Sequence, residues 1–184
     1  MPDPVVTQLP LEVGVYYDEG FRNRVFEENS EDRQDWRIDT RMARMNLFER
    51  VLPRMFQSIE EVQAPEAPET SELDAIFYPK IQALQVALPE ETHMEFYEAW
   101  IRYEIRLLGP GGDPIDSWAV TGYGKEGENG LFNSRSDHLN AAIETALRDI
   151  GARLVLGLQQ RSRVRAWLCG RPGVSMPSCD TSSN

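Results

Sequence analysis

The sequence predicts an α+β fold: a two-layer sandwich with a mostly antiparallel sheet of four or more strands and two main helices on one face. Three observations predict it. Residues 95–108 alternate apolar and polar side chains, two other segments repeat apolar residues at helical spacing, and the segments follow one another as strand, helix, three strands, helix. With 184 residues, 41% hydrophobic and 27% charged, the chain can form one domain around its own core, and its composition excludes the disordered, collagenous and cysteine-rich classes.

The first strand is read from Leu11, Val13, Val15 and Tyr17, which share one face of an extended segment. Residues 18–38 are polar and irregular, with Val25-Phe26 and Trp36-Arg37-Ile38 as candidate minor strands. From Asp39-Thr40, two residues suited to cap a helix, apolar side chains recur at Met45, Phe48, Leu52, Met55, Phe56 and Ile59, one buried helical face. Pro53 lacks a backbone donor, so this helix must kink or end near it. The prolines and acids of residues 64–72 have the composition of an exposed linker, taken to span about 60–73.

Three strands follow. The first, from Asp74 to Leu88, contains Pro79, which implies an edge position or a bulge. The second, from Glu95 to Leu108, points Tyr97, Ala99, Ile101, Tyr103, Ile105 and Leu107 one way and Glu98, Arg102, Glu104 and Arg106 the other. The third runs from Ile115 to Tyr123. A two-residue turn at Gly111-Gly112, where glycine supplies positive φ, pairs Ile105 with Trp118 and Tyr103 with Val120 on the core side. The same register pairs Arg102 with Thr121 and Trp100 with Tyr123 on the open side. A second helix then starts at a cap, Ser136 or Asp137, and carries the stripe Leu139, Ile143, Ala146, Leu147 and Ile150, with Gly151 available to end or bend it. The pattern continues through Leu154 and Leu158, and Val164 to Leu168 packs back through Trp167. Residues 1–8 read as a flexible tether, 9–168 as the single domain and 169–184 as a disordered tail.

Nineteen basic against 30 acidic residues give a net charge of −11, which repels phosphate backbones and argues against a nucleic-acid partner. Only residues 153–184 are basic, with five arginines and one aspartate, and Arg161, Arg163 and Arg165 read as a solvated face. No stretch approaches the ~20 apolar residues of a membrane-spanning helix. Cys169 and Cys179 can form one disulfide, and two cysteines at this spacing make neither a metal site nor a disulfide framework.

Several constellations invite a chemical reading. Gly122-Tyr123-Gly124-Lys125-Glu126-Gly127 has the spacing of a dinucleotide loop, but that loop must run straight into a helix whose amides hold pyrophosphate. Here the helix comes later and the nearby glutamates repel phosphate, so a mobile turn is the better expectation. Ser136-Asp137-His138 holds the residue types of a hydrolase triad, yet neighbours at a helix start point in different directions. His93 and His138 form no ligand-spaced pair, so neither a metal nor a cofactor is expected. Glu90, Glu91, Glu95 and Glu98 are more simply solvated charge than paired catalytic carboxylates. The aromatic pair Trp100 and Tyr123, bordered by Arg102 on the wet side of the sheet, is the candidate binding surface.

The stretches LEVGVYYDEGFRNRVFEE, FYEAWIRYEIRL, DPIDSWAVTGYG and LNAAIETALRDIGARL together resemble a family of uncharacterised bacterial envelope proteins, usually lipoproteins, over most of residues 9–168. The order of elements also resembles small α/β domains of outer-membrane assembly lipoproteins and the N-terminal domain of TolB. The resemblance implies a place in the periplasm or on the inner leaflet of the outer membrane, attachment through a lipid anchor on an N-terminal cysteine, and a scaffolding or assembly role without catalysis. This chain carries no cysteine near its start, and a leaderless gene product would be cytoplasmic. The expected function is a non-enzymatic module that binds another envelope protein or a cell-wall component. The rival is a small hydrolase or ligand-binding enzyme using the carboxylates of Glu90 to Glu98 or the loop after Tyr123.

Overall fold

A computed structural model describes residues 8–30, 33–68, 71–89, 95–127, 134–174 and 179. The strands are β1 (Leu9–Tyr16), β2 (Phe26–Ser30), β3 (Arg33–Ile38), β4 (Phe56–Val62), β5 (Ala75–Ala87), β6 (Phe96–Leu108) and β7 (Pro114–Gly127). The helices are α1 (Glu19–Asn23), α2 (Arg41–Met55), α3 (Arg135–Gly157) and α4 (Ser162–Cys169), with a 3-10 turn at Leu158–Gln160. The architecture is α+β, as expected. Five strands form one sheet in the order β4-β1-β5-β6-β7, and β2 and β3 form a separate hairpin. The large sheet is mixed: β1 lies parallel to both β4 and β5, while β5, β6 and β7 are antiparallel neighbours.

The β6–β7 register agrees with the expected one. Ile105 faces Trp118, Tyr103 faces Val120, Arg102 faces Thr121 and Trp100 faces Tyr123. The turn that sets it is different. Gly112 donates its N–H to the Gly109 carbonyl (2.9 Å), Gly112 alone of the adjacent pair has positive φ, and the register shifts between Leu107 and Leu108. A longer loop with Pro110 at its second turn position thus reaches the register a two-residue turn would have given.

Other boundaries move for local reasons. The α2 helix ends at Met55, two residues after Pro53, so Phe56 and Ile59 belong to β4 and not to the helix. The expected linker also begins inside β4, and Ala67 beyond it donates to the Pro110 carbonyl (2.7 Å) and packs against a small cluster of Ile76, Tyr78 and Leu108. Pro79 sits past Phe77, the last β5 residue paired with β1, where that flank of the strand needs no donor from it. A bulge follows between Ile81 and Ala83, and the Arg24 guanidinium donates to the carbonyls of Ile81 and Gln82. The cap of α3 is Ser134, whose hydroxyl accepts from the Asp137 N–H, in place of Ser136 or Asp137.

Both long helices cover the β6 face that carries Tyr97 through Leu107. Phe48 of α2 packs on Phe21, Phe77 and Tyr103, with ring centroids 5.6, 6.0 and 5.5 Å apart. Over β7 the helix comes closer still. A Cβ on Gly122 or Gly124 would run into the carbonyl oxygens of Ala146 and Ala142, so these glycines are the seat of α3 and not a mobile turn. Gly151 does not end α3, which continues to Gly157; it lies buried against Leu47 and Val51 of α2. One interior charge is Arg44, fully buried, which donates to Thr40 Oγ1 (3.2 Å) and the Arg24 carbonyl (2.8 Å) beneath the Phe21 ring. Burial pushes its pKa below the ordinary arginine value.

The C-terminal segment is fastened by charge and by a covalent bond. Asp116 is buried and accepts two hydrogen bonds from Arg161, whose guanidinium also lies 4.8 Å over the Trp118 ring. Val164 and Leu168 are the fully buried residues of α4, while Trp167 is only half-buried beneath Arg171. Arg171 reaches the side chain and carbonyl of Asp74 at 3.3 and 3.0 Å. Cys169 and Cys179 are joined by a disulfide, with Cα atoms 5.4 Å apart.

Candidate binding surface on the open sheet face

The face of the sheet turned away from the helices is built by the alternate residues of three long strands. On β6 these are Phe96, Glu98, Trp100, Arg102, Glu104 and Arg106, and the register sets each beside a named partner. Trp100 lies between Gln85 on β5 and Tyr123 on β7, and Glu98 lies between Ala87 and Lys125. The Trp100 and Tyr123 rings are 5.3 Å apart and tilted by 41°. Tyr123 is 38% exposed, one of the few large apolar side chains to be so among the described residues.

The polar side chains beside this pair are largely engaged with one another. Arg102 donates to Gln82 Oε1 (3.0 Å), Gln82 to Glu104 (3.4 Å), and Arg106 and Ser117 both donate to Glu104 Oε1 at 2.8 and 3.2 Å. The hydrogen bond from Arg106 holds the Glu104 carboxyl below the usual carboxylate range. At the far end of the face Tyr78 donates to Asp18 Oδ2 (2.8 Å), and burial, reinforced by that carboxylate, raises its phenol pKa. At the near end Tyr123 donates its hydroxyl to Glu98, which pushes the phenol up to about 12. The Lys125 ammonium lies 3.5 Å from the centroid of the half-exposed Phe96 ring.

The three sequence-predicted surface residues are therefore on one face, with Trp100 and Tyr123 in contact and Arg102 tied to Gln82 on the β5 side. Glu98, Lys125 and Phe96 complete the surface. The register that pairs Trp100 with Tyr123 also sets Glu98 opposite Lys125, so that signal was available in the sequence. Glu98 accepts the Tyr123 hydroxyl, while Glu90, Glu91 and His93 lie outside the described residues. His138 is buried and stacks on Tyr97 with centroids 5.2 Å apart, far in character from the relay geometry of a triad. Among the described residues no group of three or more His, Cys, Asp or Glu side chains is placed to hold a metal ion. The chemistry this face offers is aromatic contact area ringed by ordered donors and acceptors.

The edge of β7 beside the pair is closed by the helix layer. The Tyr123 N–H, which points out of the last strand, donates to Asp149 Oδ2 (3.1 Å) of α3, and Asp149 is held in turn by Arg153 at 3.0 Å.

No family model matches the chain, and no curated protein matches it. Among solved structures, a DUF330 family protein from Xanthomonas campestris is similar with a TM-score of 0.56 and 12% identity, over 84% of this chain and 87% of that one. A Caulobacter crescentus protein classed as a candidate lipoprotein matches with a TM-score of 0.40 and 12% identity, over 70% of this chain and 81% of its own. Lipoprotein GNA1162 of Neisseria meningitidis matches with a TM-score of 0.36 and 13% identity, over 78% and 99%. All three are bacterial proteins, and the chain shares its fold with the DUF330 protein.

Proposed function

We propose that the protein is a non-enzymatic binding or scaffolding module of the bacterial cell envelope, acting in the periplasm or on the inner leaflet of the outer membrane. Its open sheet face engages an envelope protein or a cell-wall component around Trp100, Arg102 and Tyr123. The observation that carries the binding role is the Trp100–Tyr123 pair, ring area left half in water beside polar side chains that already satisfy one another. Such a surface gives up little hydrogen bonding when it is covered, and buried aromatic anchors dominate binding energy. One observation supports the compartment, the Cys169–Cys179 disulfide, which suits an oxidising environment, while the fold shared with a Xanthomonas campestris protein supports a bacterial setting.

A photo-crosslinking amino acid at Thr121, beside the pair, tests the reading in bacteria producing the protein. The expected product is an adduct with one envelope protein or with peptidoglycan, lost in Trp100→Ala, from cells in which both cysteines resist alkylation until reduced. Free thiols in the cellular protein would overturn the compartment. Adducts indifferent to Trp100→Ala would overturn the surface.

A further inference from the structure

A second surface lies on the opposite layer, and it does not depend on the reading above. The outer sides of α2 and α3 enclose a groove of about 900 Å³, long enough to follow α2 from Ala43 to Arg54. At 1.5 Å per residue that is roughly 16 Å, about three helical turns. Its floor is apolar, made by Leu47 and Val51 of α2 with Leu147 and Val155 of α3. Gly151 keeps the floor deep, since a Cβ there would press to 3.1 Å from both Leu47 and Val51. At one margin Leu156 stands 56% exposed.

The rim has the opposite sign to the molecule. Arg50, Arg54 and Arg148 line the groove against a single acid, Glu144, which is tied to Arg148 at 3.3 Å, in a chain whose net charge is −11. Arg50 pairs with no carboxylate among the described residues.

We propose that this groove docks an amphipathic helix of a partner protein, about three turns in contact, whose apolar stripe is flanked by carboxylates. The stripe would fill the floor as ridges fill grooves between packed helices, and the carboxylates would meet Arg50, Arg54 and Arg148. A recess between two rods fits a third rod better than it fits a flat lipid surface, and the sign of the rim selects an acidic helix over a basic one.

The test uses fluorescent ~18-residue helical peptides with leucines at i, i+3, i+4 and i+7, flanked by glutamates, flanked by lysines, or scrambled. The expected result is saturable binding of the glutamate peptide alone, weakened by salt, and at least ~10-fold weaker with Arg50→Glu or Ala152→Trp. The first variant reverses a rim charge and the second fills the groove from an exposed position that lines it. Thermal melts establish that each variant folds, with Leu156→Asp replacing Ala152→Trp if it does not. Equal binding of the lysine and glutamate peptides, or binding indifferent to the filled groove, would overturn the proposal. So would binding of phosphatidylglycerol vesicles in place of the peptide, lost with Arg50→Glu but unchanged by Ala152→Trp, since that pattern marks a lipid contact.

Discussion

Gly124 and Gly127 belong to one GxGxxG spacing, and the fold treats them oppositely. A Cβ at Gly124 would enter the space of the Ala142 carbonyl, whereas one at Gly127 meets nothing within 4 Å. Gly124→Ala must lift α3 off β7 and is expected to cost about 1–3 kcal/mol by denaturant unfolding, while Gly127→Ala leaves stability within ~0.5 kcal/mol. Equal effects would mean that close packing is not why the first glycines are there. Tyr123 makes a second prediction at this scale. Its hydrogen bond to Glu98, with some desolvation, favours the neutral phenol and places its pKa at about 12. The folded-state value is raised, so the contribution is complete below the unfolded value near ~10 and is lost as pH rises from there through about 12. The ultraviolet difference between the protein and Tyr123→Phe should show ionisation near 12, and Glu98→Gln should bring it back towards ~10. No change with Glu98→Gln would break the link between the two strands at the centre of the candidate surface.

At the scale of elements, what could be read from the sequence depended on how locally each element is determined. The β6 strand shows an unbroken alternation and is joined to β7 by a short loop, so both the pairing and the aromatic contact on the open face followed from pattern alone. β4 was lost to the preceding helix because Phe56 and Ile59 continue the helical spacing of α2. Its exposed Gln57, Ser58, Glu60 and Glu61 show no two-residue period. Only pairing with β1, more than forty residues earlier, makes it a strand. The attachment of α4 was equally hidden, since Asp116 and Arg161 are 45 residues apart and look like surface charges in sequence. Burial raises the Asp116 pKa, but the hydrogen bonds from Arg161 and the Ser117 N–H outweigh it and leave the carboxyl below its usual range. Asp116→Ala is expected to cost about 1.5–3 kcal/mol at neutral pH. A depressed carboxylate contributes above its unfolded pKa, so the gap between the protein and the variant should hold down to about pH 4 and close as pH falls further. A gap that persists unchanged to lower pH would show that the ion pair is not its source.

For the whole molecule, the sandwich was legible because each layer carries its own period, two for the strands and 3.6 for the helices, and only one face of each is apolar. The mixed order of the sheet was not, because parallel pairs of β1 with β4 and β5 join distant segments and leave no turn in the sequence to mark them. The same long-range assembly decides how charge is distributed. With 30 acids against 19 bases, compaction brings like charges together, and many of the described ion pairs that oppose this are at least partly exposed, among them Arg22–Glu61, Arg41–Asp39 and Arg148–Glu144. Exposed pairs contribute about 0–1 kcal/mol each, and the same salt that screens them screens the repulsion. If self-repulsion is the larger of the two, raising ionic strength from ~0.01 M to ~0.1 M, which shortens the screening length from ~30 to ~10 Å, should raise the melting temperature. A gain of ~1 kcal/mol would appear as about 2–4 °C for a chain of this size. Sodium chloride is the salt to use, because sulfate and phosphate also strengthen burial by exclusion from the surface. A midpoint that falls with salt would show that the exposed pairs outweigh the net charge.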